Sequence, residues 1–554
     1  MALSDETAPA TPERDNEEIV MEIEKGTASV SASEETVKWI SGWRLIAIAT
    51  GQALSLFMVQ AESSVTSTAI TAITDSLGGF EKSPWVFTAY LLTYGAFPIL
   101  LAKVSDVLGR KQVLLGCLIL FVIFSGACGA AQTLIQLIMF RWIQGIGSGG
   151  IVAICIGYGF ELRPPEKWPS YSAFLTLTAA ISVAISPLIG SAFTQAGAWR
   201  WCFLMNVPIG VTTIALLYFA MPDKLRLEPA ARLTGAGVHL QRISRLRRLD
   251  FPGAFMLVGA SALLTTALQQ ASSGNSFDSP KVLVLLILAP LFLAGFLVWQ
   301  WHVSTGKWNL EPVFSWGLIT NRVFMAAVGN AWLSGMVMTS TIVQIPQRFM
   351  LVNSLSAIDG GVRLLPFTAI MTSTAVVVTV IMTKTGVSVA YSLIFGALLQ
   401  IAGVAGLSQA STQAGIEASQ YGFQILAGAG VGIFNIILLL LTPHVVAKHD
   451  LAVGNGAINQ FRILGGSHGL AIVTCATSSA LRSHLLEFLS PEQTKLILDR
   501  TDQISTLPPE AQALVRQKLG SMYNTQMAIL IGIAAAQVFA TILQWRRKPI
   551  ILKK

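Results

Sequence analysis

The sequence predicts an all-α polytopic membrane protein, with two six-helix bundles and two additional spans between them, about fourteen transmembrane helices in all. Three observations carry this expectation. Of the 554 residues, 53% are hydrophobic and only 12% charged, about half the charge of an ordinary soluble domain. A soluble chain of this length divides into several domains, each wanting a charged surface, and the charges to cover one are not there. Apolar runs of roughly 20 residues, the length that carries a helix across hydrocarbon, recur along the chain. Finally, the net charge of +8 sits in short basic clusters between those runs. That distribution marks membrane topology and not a nucleic-acid partner.

Taken in order, residues 1–42 are polar and acidic and read as a disordered cytosolic tail. They lack the basic start and immediate apolar run of a cleavable signal. Residues 43–221 form the N-terminal bundle, with spans at 43–66, 85–104, 112–131, 137–160, 171–193 and 202–221. A basic cytosolic loop, 222–251, leads to two linker spans within 252–301, at 252–272 and 280–301, and then to a cytosolic loop, 302–323. The C-terminal bundle, 324–545, has spans at 324–346, 363–383, 388–408, 421–446, 456–480 and 527–545. Its outer loop, 481–526, holds a Pro-Pro break and short amphipathic helices outside the membrane; 546–554 is a cytosolic tail. An even count places both ends on one side. Roughly twenty Lys and Arg then fall on that side, including Lys103, Arg163, Lys167 and the run Arg242, Arg245, Arg247, Arg248. About five, such as Lys82 and Arg348, fall on the other, so the termini are expected in the cytosol. Five cysteines lie in or beside apolar segments without metal-like spacing and read as packing residues.

The six-plus-two-plus-six spacing points to a secondary transporter. Such carriers build each half from inverted three-helix repeats and bind substrate near the midplane between halves. No GxxxxGK[ST] loop is present, so the energy comes from an ion gradient. No enzyme activity, cofactor or metal is expected. The expected partners are a small-molecule substrate, protons and the lipid bilayer, with the chain a monomer.

Glu62 is the sharpest chemical signal. It stands within Gln60-Ala61-Glu62-Ser63-Ser64 inside an apolar run, whereas the other acids fall in tails, loops or span ends. A lone carboxylate there costs at least about 2.5 kcal/mol. Exclusion of water disfavours its anion, which suits a proton carrier or a counter-charge for a cationic substrate. The plainer reading is a carboxylate at a helix end that reaches water. Arg141 lies in the fourth span, in Phe140-Arg141-Trp142-Ile143-Gln144-Gly145. A buried guanidinium stays charged and must find acceptors, either Glu62 or backbone carbonyls. The loop Ala102-Lys103-Val104-Ser105-Asp106-Val107-Leu108-Gly109-Arg110-Lys111 reads as a tight Gly turn with an acid and bases able to latch across halves.

These segments resemble the major facilitator superfamily. The loop is similar to its G-x-L-[SA]-D-x-x-G-R-[KR] signature, keeping Asp106, Gly109, Arg110 and Lys111 but with Ala102 and Val104 in place of Gly and Leu. The Arg141 segment resembles R-x-x-Q-G-x-G, linked in the family to proton transfer. Ala179 to Ser191 resembles the antiporter motif G-P-x-x-G-G, of which Pro187 and Gly190 survive while Ser186 and Ser191 replace glycines. Trp199-Arg200-Trp201-Cys202-Phe203 with Asn206, Pro208 and Gly210, and Leu249-Asp250-Phe251-Pro252-Gly253, resemble fourteen-span drug:proton antiporters. Glu62 stands where that family usually has Asp, and Phe461-Arg462-Ile463-Leu464-Gly465-Gly466 resembles a recurring family segment. The resemblance runs from about residue 43 to 545. It implies the major facilitator fold and proton-coupled export of toxins, secondary metabolites or drugs, from the plasma membrane. Vacuolar transport of basic amino acids, or siderophore transport, is the alternative it leaves open; a non-transporting sensor is more remote.

For the substrate cavity the sequence offers Gln144, Trp332, Gln344, Asn435 and His468, polar or aromatic residues in otherwise apolar spans that suit an amphiphilic ligand. His468 can titrate, although a neutral imidazole bonded to a neighbouring carbonyl is the simpler expectation.

Overall fold

A computed structural model describes residues 42–163, 168–222, 250–272, 277–306, 310, 312–413, 415–446, 451–546 and 550. The acidic segment 1–41, most of the basic loop (223–249) and the end of the C-terminal tail lie outside the described residues.

The chain is all-helical because hydrocarbon leaves backbone amides and carbonyls no partner but each other. In order, the helices are α1 (Trp43–Leu77), α2 (Pro84–Ala96), α3 (Pro98–Leu108), α4 (Arg110–Ala130), α5 (Leu134–Glu161) and α6 (Trp168–Gln195), then α7 (Trp201–Leu204) and α8 (Asn206–Ala220). The linker pair is α9 (Phe251–Ser272) and α10 (Pro280–Thr305), followed by short α11 (Trp316–Ile319). The remainder comprises α12 (Arg322–Leu351), short α13 (Ala357–Val362), α14 (Leu365–Thr385), α15 (Val389–Ser408), α16 (Ser419–Val445), α17 (Leu451–Leu486), α18 (Pro491–Asp499) and α19 (Pro509–Leu543).

A helix lies at each of the expected spans, yet the membrane count differs. Among the described residues, twelve helices are long and apolar enough to cross a membrane, or thirteen with the bent pair Phe80–Ala96 and Pro98–Ser105 taken as one span. The bend of 42° falls where Pro98 opens α3, since proline cannot donate to the preceding turn. The remaining helix, α17, has 36 residues but is too polar to join them, for it carries Asn455, Asn459, Arg462 and His468. It packs against α12, α2 and α9 and is shielded from lipid by them.

One further expectation is extended and one corrected. The segment 481–526 holds the short helix α18 and the Pro508-Pro509 break, while α17 continues to Leu486 and α19 begins at Pro509 and runs 35 residues. Hydropathy stops at Arg516 and Lys518, whereas the backbone continues its turns on helix-forming residues. Arg348, read as an outer-loop base, lies inside α12 and is only 7% exposed.

Side chains buried between α1 and α8 form one core, including Ile48, Phe87, Phe121, Tyr158 and Phe203. A second core gathers Phe324, Leu393, Phe434 and Leu441, and a third Phe349, Phe367, Val431 and Leu530. Large apolar residues point outward instead on α8, α9, α10 and α19, among them Phe219, Phe255, Leu291 and Phe539. Such a belt is costly in water and favourable against acyl chains.

At the end of the bundle opposite Trp43 and Leu543, polar contacts tie α1 to the segment before α19. Asp75 Oδ1 accepts from the Thr501 amide (2.9 Å), the Thr501 hydroxyl (2.9 Å) and the Asp502 amide (3.2 Å). The Gly79 amide donates to Asp499 Oδ1 at 2.7 Å, and Arg482 pairs with Glu81. Beneath them Leu351, Leu485, Ile497, Ile504 and Leu519 form a small apolar cap.

Candidate functional site: a buried charge centre among five helices

The carboxylate of Glu62 is 1% exposed, near the middle of α1, so it does not reach water at a helix end. Its Oε1 pairs with Arg141 Nη1 and accepts from Gln144 Nε2 at 3.1 Å. Its Oε2 accepts from Asn206 Nδ2 at 2.8 Å. Arg141 is fully buried on α5 and also donates from Nε to the Val86 carbonyl (3.1 Å) and from Nη1 to Gln144 Oε1 (3.0 Å). The guanidinium carbon lies 4.2 Å from the Tyr90 ring centre and 5.6 Å from that of Phe203, within cation–π range of both. Gln144 Nε2 donates onward to Ser125 Oγ at 2.7 Å.

Local structure explains the convergence. Arg141 and Gln144 are three residues apart on α5 and therefore share a face. Asn206 opens α8, directly after the break at Met205. Glu62, Ser125 and Val86 come from α1, α4 and α2, so five helices share one hydrogen-bond network around the carboxylate. A charge pair excluded from water is favourable only when its remaining lone pairs and hydrogens are also bonded. Gln144 and Asn206 supply that second layer.

The other sequence-selected residues lie elsewhere. Gly109, at φ 108°, joins α3 to α4 in a conformation that L side chains rarely adopt. Arg110 Nη1 donates to Ser105 Oγ (2.6 Å) and the Ala102 carbonyl (3.3 Å), and Lys111 lies over the Tyr218 ring at 5.0 Å, so these bonds stay within the first half. The side chain of Asp106 lies outside the described residues. Lys103 reaches the Pro312 carbonyl at 2.9 Å. Pro187 and Gly190 lie in α6, against α1. A Cβ on Gly190 would fall 2.6 Å from the Val65 carbonyl oxygen, three residues beyond Glu62. On the other side of α6, a Cβ on Gly361 would meet the Pro187 carbonyl at 2.7 Å. This segment therefore packs between the two halves.

Trp332 and His468 come together, with the backbone of Ser261 on α9 also bonded to the imidazole. The indole Nε1 donates to His468 Nδ1 at 3.0 Å, which requires an unprotonated Nδ1 and hence a neutral ring. Asn435 Oδ1 accepts from Arg462 Nη1 at 3.2 Å, and Asn459 Oδ1 from Nη2 at 2.5 Å. Gln344 is separate from all of these and lines a small cavity between α12, α15, α16 and α19.

Sequence reasoning missed two features. Ser125 is a polar residue inside the apolar α4, a signal that was available. Asp250 accepts from Trp299 Nε1 (2.6 Å), Gln300 Nε2 (2.6 Å), the Gly253 amide (2.8 Å) and the Val313 amide (3.2 Å). It thereby pins α9 to α10 and to the strand-like approach to α12. Gln300, alone and polar near the end of an apolar span, was its legible partner.

Two packed helical halves, a linker pair and a buried charge centre define a polytopic solute carrier. The comparisons agree: the Major Facilitator Superfamily profile matches residues 53–470. The chain belongs to that superfamily and is a membrane transporter, not an enzyme. It is 32% identical over 524 residues to the MFS-type transporter FPY5 of Fusarium mangiferae, covering 94% of this chain and 87% of that one. It is 26% identical over 533 residues to the MFS thioclapurine efflux transporter tcpA of Claviceps purpurea, covering 94% of each. Among solved structures, a bacterial homologue of the human lysosomal transporter Spinster aligns with a TM-score of 0.63 at 13% identity, over 92% of this chain and 100% of the other. At that identity the likeness is one of fold.

Proposed function

We propose that this carrier exports amphiphilic small molecules, toxins or secondary metabolites, in exchange for protons, with Glu62 as the proton-binding group. The observation that carries the reading is the burial of Glu62 against Arg141, Gln144 and Asn206. A carboxylate held this way changes its bonding when it is protonated: one oxygen becomes a donor, and the pairing with Arg141 weakens. The carboxylate's partners lie on α5 and α8 and are themselves bonded to α2 and α4, so the change is relayed through the first half. Gly190, packed on α1 beside Thr68, passes it to α6 and to α13 of the second half. The kinship to transporters named for efflux supports the direction of transport. Gln144 serves the charge centre, while Trp332, Asn435 and His468 are the groups we place nearest the substrate. The bases Arg110 and Lys111 with Asp106 form the latch that holds one state. The chain works as a monomer in the plasma membrane with both termini in the cytosol.

Export of a panel of amphiphilic toxins and dyes, measured in cells expressing wild type or Glu62→Gln with and without an uncoupler, tests the proposal. Wild type should lower accumulation of at least one compound, and either the substitution or the uncoupler should return it to the level of cells lacking the protein. Uncoupler-sensitive export that survives Glu62→Gln would remove Glu62 from the coupling step. Competition by lysine or arginine together with vacuolar location would favour basic amino-acid transport instead.

A further inference from the structure

Arg348 on α12 is a buried cation whose bonding differs from that of Arg141. Its Nη1 donates to Asn524 Oδ1 (2.5 Å) and the Gly520 carbonyl (3.5 Å), and its Nη2 to the carbonyls of Ala410 (3.2 Å) and Ser411 (2.8 Å). All four acceptors are neutral, and among the described residues no carboxylate contacts it. Glu417 acts on Arg348 electrostatically without touching it; it is exposed, and its Oε2 accepts from the Ser419 hydroxyl at 3.2 Å. A guanidinium this deep keeps its charge, and a buried charge is costly unless it is compensated.

Beside Arg348 lies a cavity with room for about one water-sized particle. It is lined by Gln344, Gln420 and Gln424, each 2% exposed or less, and by Tyr523. Arg348 Nε, the Nε2 groups of all three glutamines and the Oε1 atoms of Gln344 and Gln424 have no partner within the protein. Gln420 and Gln424 stand in the first two turns of α16, a 27-residue helix whose amino end favours negative charge. Four unpaired N–H donors, two unpaired amide oxygens whose carboxamides can turn their N–H groups inward, one formal positive charge and a helix amino end surround a space too small for an organic substrate.

We propose that this cavity binds a small monovalent anion of halide size, which neutralises Arg348 and ties together α12, α15, α16 and α19. Water would satisfy the amides equally well but would leave the charge to the exposed, solvent-screened Glu417 alone. The site lies within the second half, apart from the Glu62 centre, and does not depend on the proposed proton coupling.

The test is thermal unfolding of the purified full chain in detergent micelles, in sodium chloride, bromide or gluconate at equal ionic strength. A saturable rise in midpoint of about 2 °C with chloride and bromide, absent with gluconate, is expected from ligand binding to the folded state. Gln424→Leu, which removes a donor and keeps Arg348, should elute as wild type in size exclusion and lose most of that rise. Arg348→Gln, if it folds, should lose all of it. Crystals grown in bromide should show an anomalous peak among Arg348, Gln344 and Gln424. Equal midpoints in all three salts would mean water alone fills the cavity and would overturn the proposal. A halide effect undiminished in Gln424→Leu would also overturn it, by placing the ion elsewhere.

Discussion

Removing Arg141 should be more damaging than removing Glu62, and removing both should be better than removing Arg141 alone. In Arg141→Met the Glu62 carboxylate keeps Asn206 and Gln144 as donors but loses its counter-charge while remaining 1% exposed. Breaking a buried pair from one side costs about 3–5 kcal/mol, a large part of the roughly 5–15 kcal/mol that holds a domain folded. The Val86 carbonyl and Gln144 Oε1 also lose a donor, and the face of Tyr90 loses its cation. In Glu62→Gln the charge of Arg141 is likewise left without a counter-charge, but the guanidinium loses no hydrogen-bond acceptor, so the cost is smaller. Arg141 keeps both of those neutral acceptors, and the new carboxamide oxygen still accepts from it. Adding Glu62→Gln to Arg141→Met removes the stranded charge and should recover about 1–3 kcal/mol, the coupling expected of residues in direct contact.

The assay is the unfolding midpoint of detergent-solubilised protein at one fixed scan rate, because membrane proteins of this size unfold irreversibly and midpoints are comparable only under that condition. The expected order is wild type, Glu62→Gln, double variant, Arg141→Met. Arg141→Lys should fall between wild type and Arg141→Met, since a point charge replaces the pair but not the planar fork that also reaches Val86. A double variant that melts no higher than Arg141→Met would refute the reasoning, for it would mean that Glu62 carries no charge needing compensation in the folded state.

Two other predictions concern packing and closure. Gly190→Ala places a methyl 2.6 Å from the Val65 carbonyl oxygen and 2.3 Å from Thr68 Oγ1; it should destabilise by about 1–3 kcal/mol and slow export, whereas Gly157→Ala, with nothing within 4 Å, should leave both unchanged or gain about 0.4–1 kcal/mol. Equal melting of the two variants would show that α6 can move away from α1 without cost. Asp75→Ala removes the acceptor of three hydrogen bonds from Thr501 and Asp502; hydrogen exchange at 499–506 should rise about 5- to 150-fold, by the roughly 1–3 kcal/mol of leaving donors unpaired, and unchanged exchange would show that the Gly79–Asp499 and Glu81–Arg482 contacts close this end alone.

What the sequence made legible follows from the physics of each signal. Glu62 and Arg141 stood out because a charge inside an apolar run is expensive wherever the run folds, so its position alone announces a partner. Asn206 carries no such penalty. Its contact with Glu62 joins residues 144 positions apart, and a neutral amide at a helix start reads equally well as a cap. The same asymmetry explains the misplacement of Arg348: a base near the end of an apolar run reads as topology until the fold shows four neutral acceptors around it. Hydropathy found the helices but misjudged α17, because it scores a residue's cost in lipid and α17 is lined by other helices. Polar residues on α17 then meet polar residues on its neighbours, His468 with Trp332 and Arg462 with Asn435. A helix too polar to face lipid, packed against α2 of the other half, is where a solute crossing between the halves can find hydrogen bonds without the carrier exposing them to the bilayer. On the proposed function, the residues that weakened the span as a membrane helix are the ones that would line the transport path.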